Sequence, residues 1–248
     1  MNFDFRGKTI LVNGAASGMG KHTALMLSSY GAKVILVDVD EGKLQETVKT
    51  LDGEGHIAYQ LDLSNLEIIE AAIKEIVDIA GPLDGFVHCV GLRCRRPLKL
   101  ITPNIINEVM SVNYGSFIEM TRCITKKGRY NSGLSIVAIS SISAKTGGAA
   151  VTVYSASKAA LDASVRCLAK ELSSKNIRLN SVQPGQVNTP AYASMLLNSG
   201  GVDNVLERQY LGLAEAEDVS NVIVFLLSNK SKMITGASIP VDGGYFTS

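Results

Sequence analysis

Six short runs of apolar, often β-branched residues alternate along the chain with longer stretches of helical periodicity, which admits one broad architecture. Lys8–Val12, Lys33–Val37, His56–Gln60, Gly85–His88, Leu134–Ser140 and Ile177–Val182 read as strands. Several are almost continuously apolar, as strands buried on both faces are. Met19–Tyr30, Glu41–Leu51, Asn65–Ile79, Thr102–Lys126, Val153–Ser174 and Glu215–Leu227 read as helices, and Ala237–Val241 as a last short strand. Repeated strand–helix–strand order predicts an α/β fold, a parallel sheet with helices on both faces. No linker, repeat or low-complexity stretch divides the chain, so residues 1–248 are expected to form a single domain.

The longest interruption, residues 186–212, follows a strand end, where open α/β sheets bind ligands. It carries Tyr192, Met195, Leu196, Leu197, Val205, Leu206 and Tyr210. Apolar residues at such spacing serve either the core or the cover of a pocket. We expect a substrate lid here, with Gly200-Gly201 as a flexible break.

Gly14-x-x-x-Gly18-x-Gly20 joins the first strand to the first helix. Glycines there permit a tight turn and let backbone N–H groups approach a pyrophosphate at the positive end of a helix. Together with the sheet, this predicts a single-domain, doubly wound fold of the Rossmann type. The loop also includes Asn13, Ser17 and Met19. Asp38 ends the second strand, twenty residues after Gly18, where a carboxylate can accept both ribose hydroxyls of an adenosine. It would repel a 2′-phosphate, and Ser17 offers no cation to receive one, so NAD is expected ahead of NADP. The competing reading of Asp38 is a helix N-cap ahead of Glu41.

Tyr154 and Lys158 are four residues apart in one expected helix, hence on one face. A free tyrosine titrates near pH 10, too high for easy proton exchange at neutrality. A neighbouring ammonium, with the positive nicotinamide of an oxidised cofactor, is expected to lower that value. Ser141, at the end of the preceding strand, can donate a hydrogen bond to a substrate oxygen. A solvent-facing helix pair is the bland alternative, and only one of the eight tyrosines has Lys at i+4.

These residues, with Asp62-Leu63, Asn113, Pro184-Gly185 and Val241-Asp242-Gly243-Gly244, resemble in order and spacing the short-chain dehydrogenase/reductase family. The resemblance spans nearly the whole chain. It implies Tyr154 as general acid/base, Ser141 orienting the carbonyl, and Lys158 binding the nicotinamide ribose and lowering the tyrosine pKa. It implies Asn113 holding a relay water, and Asp62 and Leu63 beside the adenine. Gly91 would lie by the adenosine ribose, and Val187 and Thr189, after Pro184-Gly185, would grip the carboxamide. It further implies a homotetramer or homodimer. Two departures stand out. The usual Thr of the glycine loop is Asn13, and the usual Asn-Asn-Ala-Gly is His88-Cys89-Val90-Gly91. His88 reads as structural and Cys89 as a small buried residue.

Arg93, Arg95 and Arg96, with Lys99 nearby, follow Gly91 at the expected mouth of the site. They could bind a substrate carboxylate or phosphate; a solvated loop or subunit contact is the alternative. Ser143, Gln186 and Tyr192 are further candidates for substrate contact. Lys126, Lys127 and Arg129 end a helix, where cations complement the dipole; docking of an acidic carrier protein is the weaker reading.

With 24 Lys plus Arg against 23 Asp plus Glu, the net charge of +1 gives no reason to expect nucleic acid or a membrane surface as partner. Residues 1–8 hold no signal-like apolar core, and the longest apolar run is Val222–Leu227, so a cytoplasmic protein is expected. Four cysteines without CxxC or metal-ligand spacing read as reduced thiols, with no metal. The function expected is interconversion of a small secondary alcohol and a ketone. A 3-oxoacyl-thioester reductase is the nearest variant, and a catalytically idle dinucleotide-sensing module is the alternative from another class. A sugar-nucleotide epimerase is disfavoured, because the C-terminal segment is too short for a separate substrate domain.

Overall fold

The computed structural model describes residues 3–190, 192–193 and 208–247. Seven parallel strands form one sheet in the order β3-β2-β1-β4-β5-β6-β9. They are β1 (Thr9–Asn13), β2 (Lys33–Asp38), β3 (Ile57–Gln60), β4 (Leu83–His88), β5 (Tyr130–Ile139), β6 (Arg178–Pro184) and β9 (Ser238–Val241). The order reverses between β1 and β4, the switch point at which such sheets open a ligand crevice. A second, two-residue parallel ladder pairs β7 (Val187–Asn188) with β8 (Ala214–Glu215). This ladder was not expected.

The pleat sorts each strand's apolar residues to two faces. Leu11, Ile35, Phe86, Ile136 and Leu179 face one core layer. It is roofed by α3 (Ile69–Ala80), α5 (Ser116–Ile124) and α6 (Thr152–Leu172). Ile10, Val34, Leu36, Val87, Val137 and Val182 face the other layer. That side is covered by α1 (Gly18–Ser29) and α7 (Ala216–Leu227). Helix α2 (Glu41–Val48) flanks the β2–β3 edge, and its N-cap is Asp40, whose side chain accepts from Lys43 N. Asp38 is therefore not the cap. Pro240 lies in β9, an edge strand, where a missing backbone donor is tolerated.

The single helix expected over Thr102–Lys126 forms as one continuous helical run over residues 103–124. Within it α4 (Pro103–Met110) and α5 are joined by a π-helical turn, Ser111–Gly115, in which Ser116 N reaches back to Ser111 O. Such a turn admits an extra residue without ending the helix, so a helical reading of the sequence passes over it. Arg122 in the last turn of α5, and Lys126 and Arg129 beyond it, all approach Glu70 of α3. The basic cluster thus ties two helices together, which accounts for Lys126 and Arg129 without an acidic carrier.

Candidate active site

The carboxyl ends of β1, β2 and β4, with the loops that follow, enclose a cleft of about 380 Å³. Gly14, Ser17, Gly18, Met19, Gly20, Asp38, Asp62, Leu63, Gly91 and Thr189 line it, as expected, together with Val39, Leu61, Ser64, Cys89, Val90, Val112 and Pro190. Gly14 and Gly18 have φ of +66° and +55°, where a side chain is strained. A Cβ at Gly20 would sit 2.1 Å from Gly14 O, and one at Gly14 would sit 3.0 Å from the Cys89 carbonyl carbon. Backbone packed this closely leaves the following helix N-terminus open to an anion, so the cradle fits a dinucleotide pyrophosphate.

The Asp38 carboxylate accepts from Ala16 N (3.1 Å) on one oxygen, and from Val39 N (2.8 Å) and Asp40 N (3.3 Å) on the other. These bonds fasten the glycine loop to the end of β2 and fix the carboxylate at the cleft. The neighbouring cation, Lys43, is engaged by Asp40 at 2.6 Å. Hydrogen bonds from Ser64 hold the Asp62 carboxyl below its ordinary pKa.

Asn13, Pro184, Gly185 and Val187 do not line the cleft. Asn13 lies one layer beneath. Its Oδ1 accepts from Cys89 N (2.8 Å), which leaves its Nδ2 to donate to His88 Nδ1 (2.8 Å). That pairing puts the imidazole proton on Nε2, which is buried with no partner among the described residues. Burial, and then the charge of Lys158, push the His88 pKa down to about 3, so the ring is neutral. His88 is structural, as read. Cys89 instead faces the cleft, and burial pushes its thiol up to about 12.

Helix α6 presents Tyr154 and Lys158 one turn apart, beside Ser141 at the end of β5. Lys158 is 2% exposed, and its Nζ donates to Ile139 O at 2.8 Å. Burial lowers its pKa to about 8, while the charges of Cys89 and Asp162 oppose the shift. A Cβ on Gly91 would lie 3.0 Å from this Nζ, so the β4 loop passes close over it. The Tyr154 phenol is pushed up by burial and drawn back by a hydrogen bond with Ser141 and by the charge of Arg93. Burial outweighs both, so in this structure the phenol stands above its ordinary pKa rather than below it.

Asn113 is fully buried in the π turn. Its Oδ1 accepts from Leu92 N (2.6 Å), and its Nδ2 donates to Leu92 O (3.0 Å) and Ser157 Oγ (2.9 Å). The side chain is spent on positioning Gly91-Leu92, so a relay water would need the main chain instead. Asp162 escaped the sequence reading. This buried carboxylate, one turn beyond Lys158, accepts from Ser181 Oγ and Gln183 Nε2, each at 2.6 Å. Its i+4 spacing from Lys158 was the available signal.

A smaller cavity, about 100 Å³, is lined by Arg93, Arg95, Ser143, Gly185, Gln186 and Tyr245 among others. Arg96 lines only an outer cavity against α4, shared with Arg93, Arg95 and Glu108. Tyr192 is buried and lines neither the cleft nor the smaller cavity. Of the expected lid, Met195, Leu196, Leu197, Gly200, Gly201, Val205 and Leu206 lie outside the described residues, and Tyr210 is exposed.

Fold and site together define a nucleotide-dependent oxidoreductase. A family model described as Enoyl-(Acyl carrier protein) reductase matches residues 14–246. An L-xylulose reductase of Caenorhabditis elegans is 35% identical, covering 98% of each chain. A 3-oxoacyl-[acyl-carrier-protein] reductase of Thermotoga maritima is 33% identical over 96% of this chain and 97% of its own. A crystal structure of a Brucella melitensis short-chain dehydrogenase/reductase, titled glucose/ribitol dehydrogenase, superposes with a TM-score of 0.92 at 26% identity, covering both chains fully. The chain belongs to the short-chain dehydrogenase/reductase family. It is an NAD(P)-dependent oxidoreductase of the class that interconverts secondary alcohols and ketones.

Proposed function

We propose that this chain is an NAD(H)-linked alcohol dehydrogenase or ketone reductase in which Tyr154 moves the proton. The observation that carries the reading is Tyr154 one helical turn from the buried Lys158 on α6, with the Lys158 Nζ held by Ile139 O. Bound nicotinamide dinucleotide supplies or accepts the hydride. In reduction, Tyr154 donates its phenolic proton to the carbonyl oxygen, and Ser141 donates a hydrogen bond to the same atom. Burial favours the neutral phenol, which suits Tyr154 to the acid role. In oxidation the proton returns to Tyr154, and the positive charge around it favours the phenolate. One Lys158 donor is held by Ile139 O, and the others are available to ribose hydroxyls. Asn113 positions the Gly91-Leu92 backbone at the edge of the cleft.

NAD over NADP is supported by the Asp38 carboxylate at the cleft, by apolar Val39 after it and by the engagement of Lys43 with Asp40. Exposed Leu98, Leu211 and Met233, each more than 80% accessible, favour a homotetramer or homodimer that would cover them. The four free thiols fit a reducing cytoplasm. No helix among the described residues is long and apolar enough to cross a membrane. A 3-oxoacyl-thioester substrate is the second reading, favoured by the Thermotoga relative.

The test is Tyr154→Phe on the best substrate from a panel of secondary alcohols, hydroxy acids, polyols and 3-oxoacyl thioesters. Turnover should fall by roughly 10²- to 10⁴-fold, the usual worth of a positioned acid/base, with cofactor Kd nearly unchanged. Wild-type turnover by the variant would end this account of the proton.

A further inference from the structure

We infer that Asp162 is a positioning residue: its buried carboxylate is the counter-ion that holds the Lys158 ammonium charged at the reaction centre. The inference rests on the reading of Lys158 as a ribose-binding cation in an alcohol/ketone oxidoreductase, and adds what keeps it a cation.

The need comes first. Lys158 is 2% exposed and is the one buried cation among the described residues; its Nζ has a single partner there, Ile139 O at 2.8 Å. A neutral carbonyl does not balance a charge taken out of water, and a buried ammonium without a counter-ion sheds its proton. An oxidised nicotinamide brings a second positive charge to the same site, which pushes the same way.

Few groups meet that need. His88, from the end of β4, is neutral and accepts from Asn13. Tyr154, one turn back on α6, is pushed up by burial, and Gly91 over the ammonium has no side chain. The β5 end offers the Ile139 carbonyl and the Ser140 hydroxyl, which donates to Lys158 O at 3.3 Å. Two carboxylates are buried among the described residues, Asp162 and Asp242. Asp242 is engaged in the turn after β9, accepting from Gly244 N (3.1 Å) and Phe246 N (2.9 Å). Asp162 remains, 4% exposed and one turn beyond Lys158 on the same face of α6.

The carboxylate is also held for that role. Its oxygens accept from Ser181 Oγ and Gln183 Nε2, both on β6 and each at 2.6 Å, short as bonds to an ionised acceptor are. Ser181 gives its one proton to Asp162, so at 2.8 Å it accepts from Ser238 Oγ of the edge strand β9. These neighbours bring donors to the carboxylate and no cation, and Arg166, a further turn along α6, is exposed. Asp162 and Lys158 act on each other across the helical turn, each anchored to a neighbouring strand. Burial lowers the Lys158 pKa to about 8, against the charges of Cys89 and Asp162. The Cys89 thiol, pushed up to about 12, is neutral where Lys158 titrates, which leaves Asp162.

The experiment follows Lys158 itself. The full chain, isotope-labelled at lysine Cε, is titrated by NMR without cofactor; the Lys158 signal is the one missing from Lys158→Met. Wild type should titrate at about 8, and Asp162→Asn at least about one pH unit lower, the smaller end of what a charge about 4–6 Å away does. The substitution is nearly isosteric. Ser181 keeps an acceptor, and with the Gln183 amide turned over the new Nδ2 donates to Oε1, which has no partner among the described residues. Ser181→Ala removes a tie and keeps the charge, so it should lower stability in urea unfolding and leave the Lys158 midpoint in place. An unmoved midpoint in Asp162→Asn overturns the proposal, as do equal shifts in Asp162→Asn and Ser181→Ala, which would make packing the cause. If Asp162→Asn does not fold, removing both charges in Lys158→Met/Asp162→Asn should restore folding. A double variant that also fails to fold assigns Asp162 to packing and overturns the proposal.

NADH dissociation constants over the same pH range separate this failure from failure of the reading beneath it. Affinity should fall as Lys158 loses its proton, and at lower pH in Asp162→Asn than in wild type. A shifted midpoint with NADH affinity flat in pH keeps Asp162 as the counter-ion and defeats the ribose role of Lys158 instead.

Discussion

Acidification should weaken this protein through His88 in a way one substitution isolates. The ring is buried and neutral, with its pKa moved from 6.5 to about 3 by desolvation and the Lys158 charge. The unfolded chain accepts a proton near pH 6.5 that the folded chain refuses, so stability falls as pH drops through 6.5 and continues to fall toward 3. Between pH 7 and pH 5 the loss from this residue alone is about 2 kcal/mol, and by pH 4 about 3 kcal/mol. Carboxylates such as Glu70, held low by Lys126 and Arg122, also lose stabilisation in acid, but their share is the same in a variant that leaves them untouched. His88→Asn keeps a polar partner for Asn13 and does not titrate. Urea unfolding of both proteins at pH 7 and pH 5, at one protein concentration, should show wild type losing about 2 kcal/mol more than the variant. Equal losses would mean that His88 takes up its proton without unfolding, and that the buried Asn13–His88 pairing does not hold.

Two further substitutions test the cofactor cradle. Asp38→Ser should narrow or invert the preference for NAD(H) over NADP(H), measured as the ratio of dissociation constants; tighter NADP(H) binding by wild type would refute the role given to the carboxylate. Gly20→Ala places a methyl 2.1 Å from Gly14 O, so the loop must shift, at a cost of about 1–3 kcal/mol in urea unfolding and with loss of dinucleotide affinity. Wild-type affinity in that variant would mean the loop is not the phosphate cradle.

The sheet was readable because a parallel strand buried on both faces shows as a short apolar run, and five of the nine strands among the described residues are largely of that kind. The glycine loop and the Tyr154–Lys158 spacing were equally plain, since local geometry dictates both. What escaped depends on neighbours distant in sequence. Asn13 and His88 meet only because β1 and β4 lie side by side in register. The π turn lies inside a continuous helical run that it does not end, and β7 and β8 are too short to leave a pattern. The i+4 spacing of Tyr154 and Lys158 points to a lowered Tyr154 pKa, but it carries no measure of the burial that pushes the phenol up.

The two-residue ladder between Val187–Asn188 and Ala214–Glu215 has a consequence for how such enzymes diversify. Gln209 reinforces it, accepting from Gln186 N at 2.9 Å and donating to Gln186 O at 3.0 Å and to Gly212 O at 2.6 Å. The two ends of the intervening segment are thus pinned to the catalytic scaffold whatever lies between them. Doubling the length of a flexible span adds only about 0.6 kcal/mol of closure entropy. Insertion, deletion or grafting between β7 and β8 can therefore leave the dinucleotide cleft and the Tyr154 helix in place, making the ladder a natural splice point for recombination among relatives.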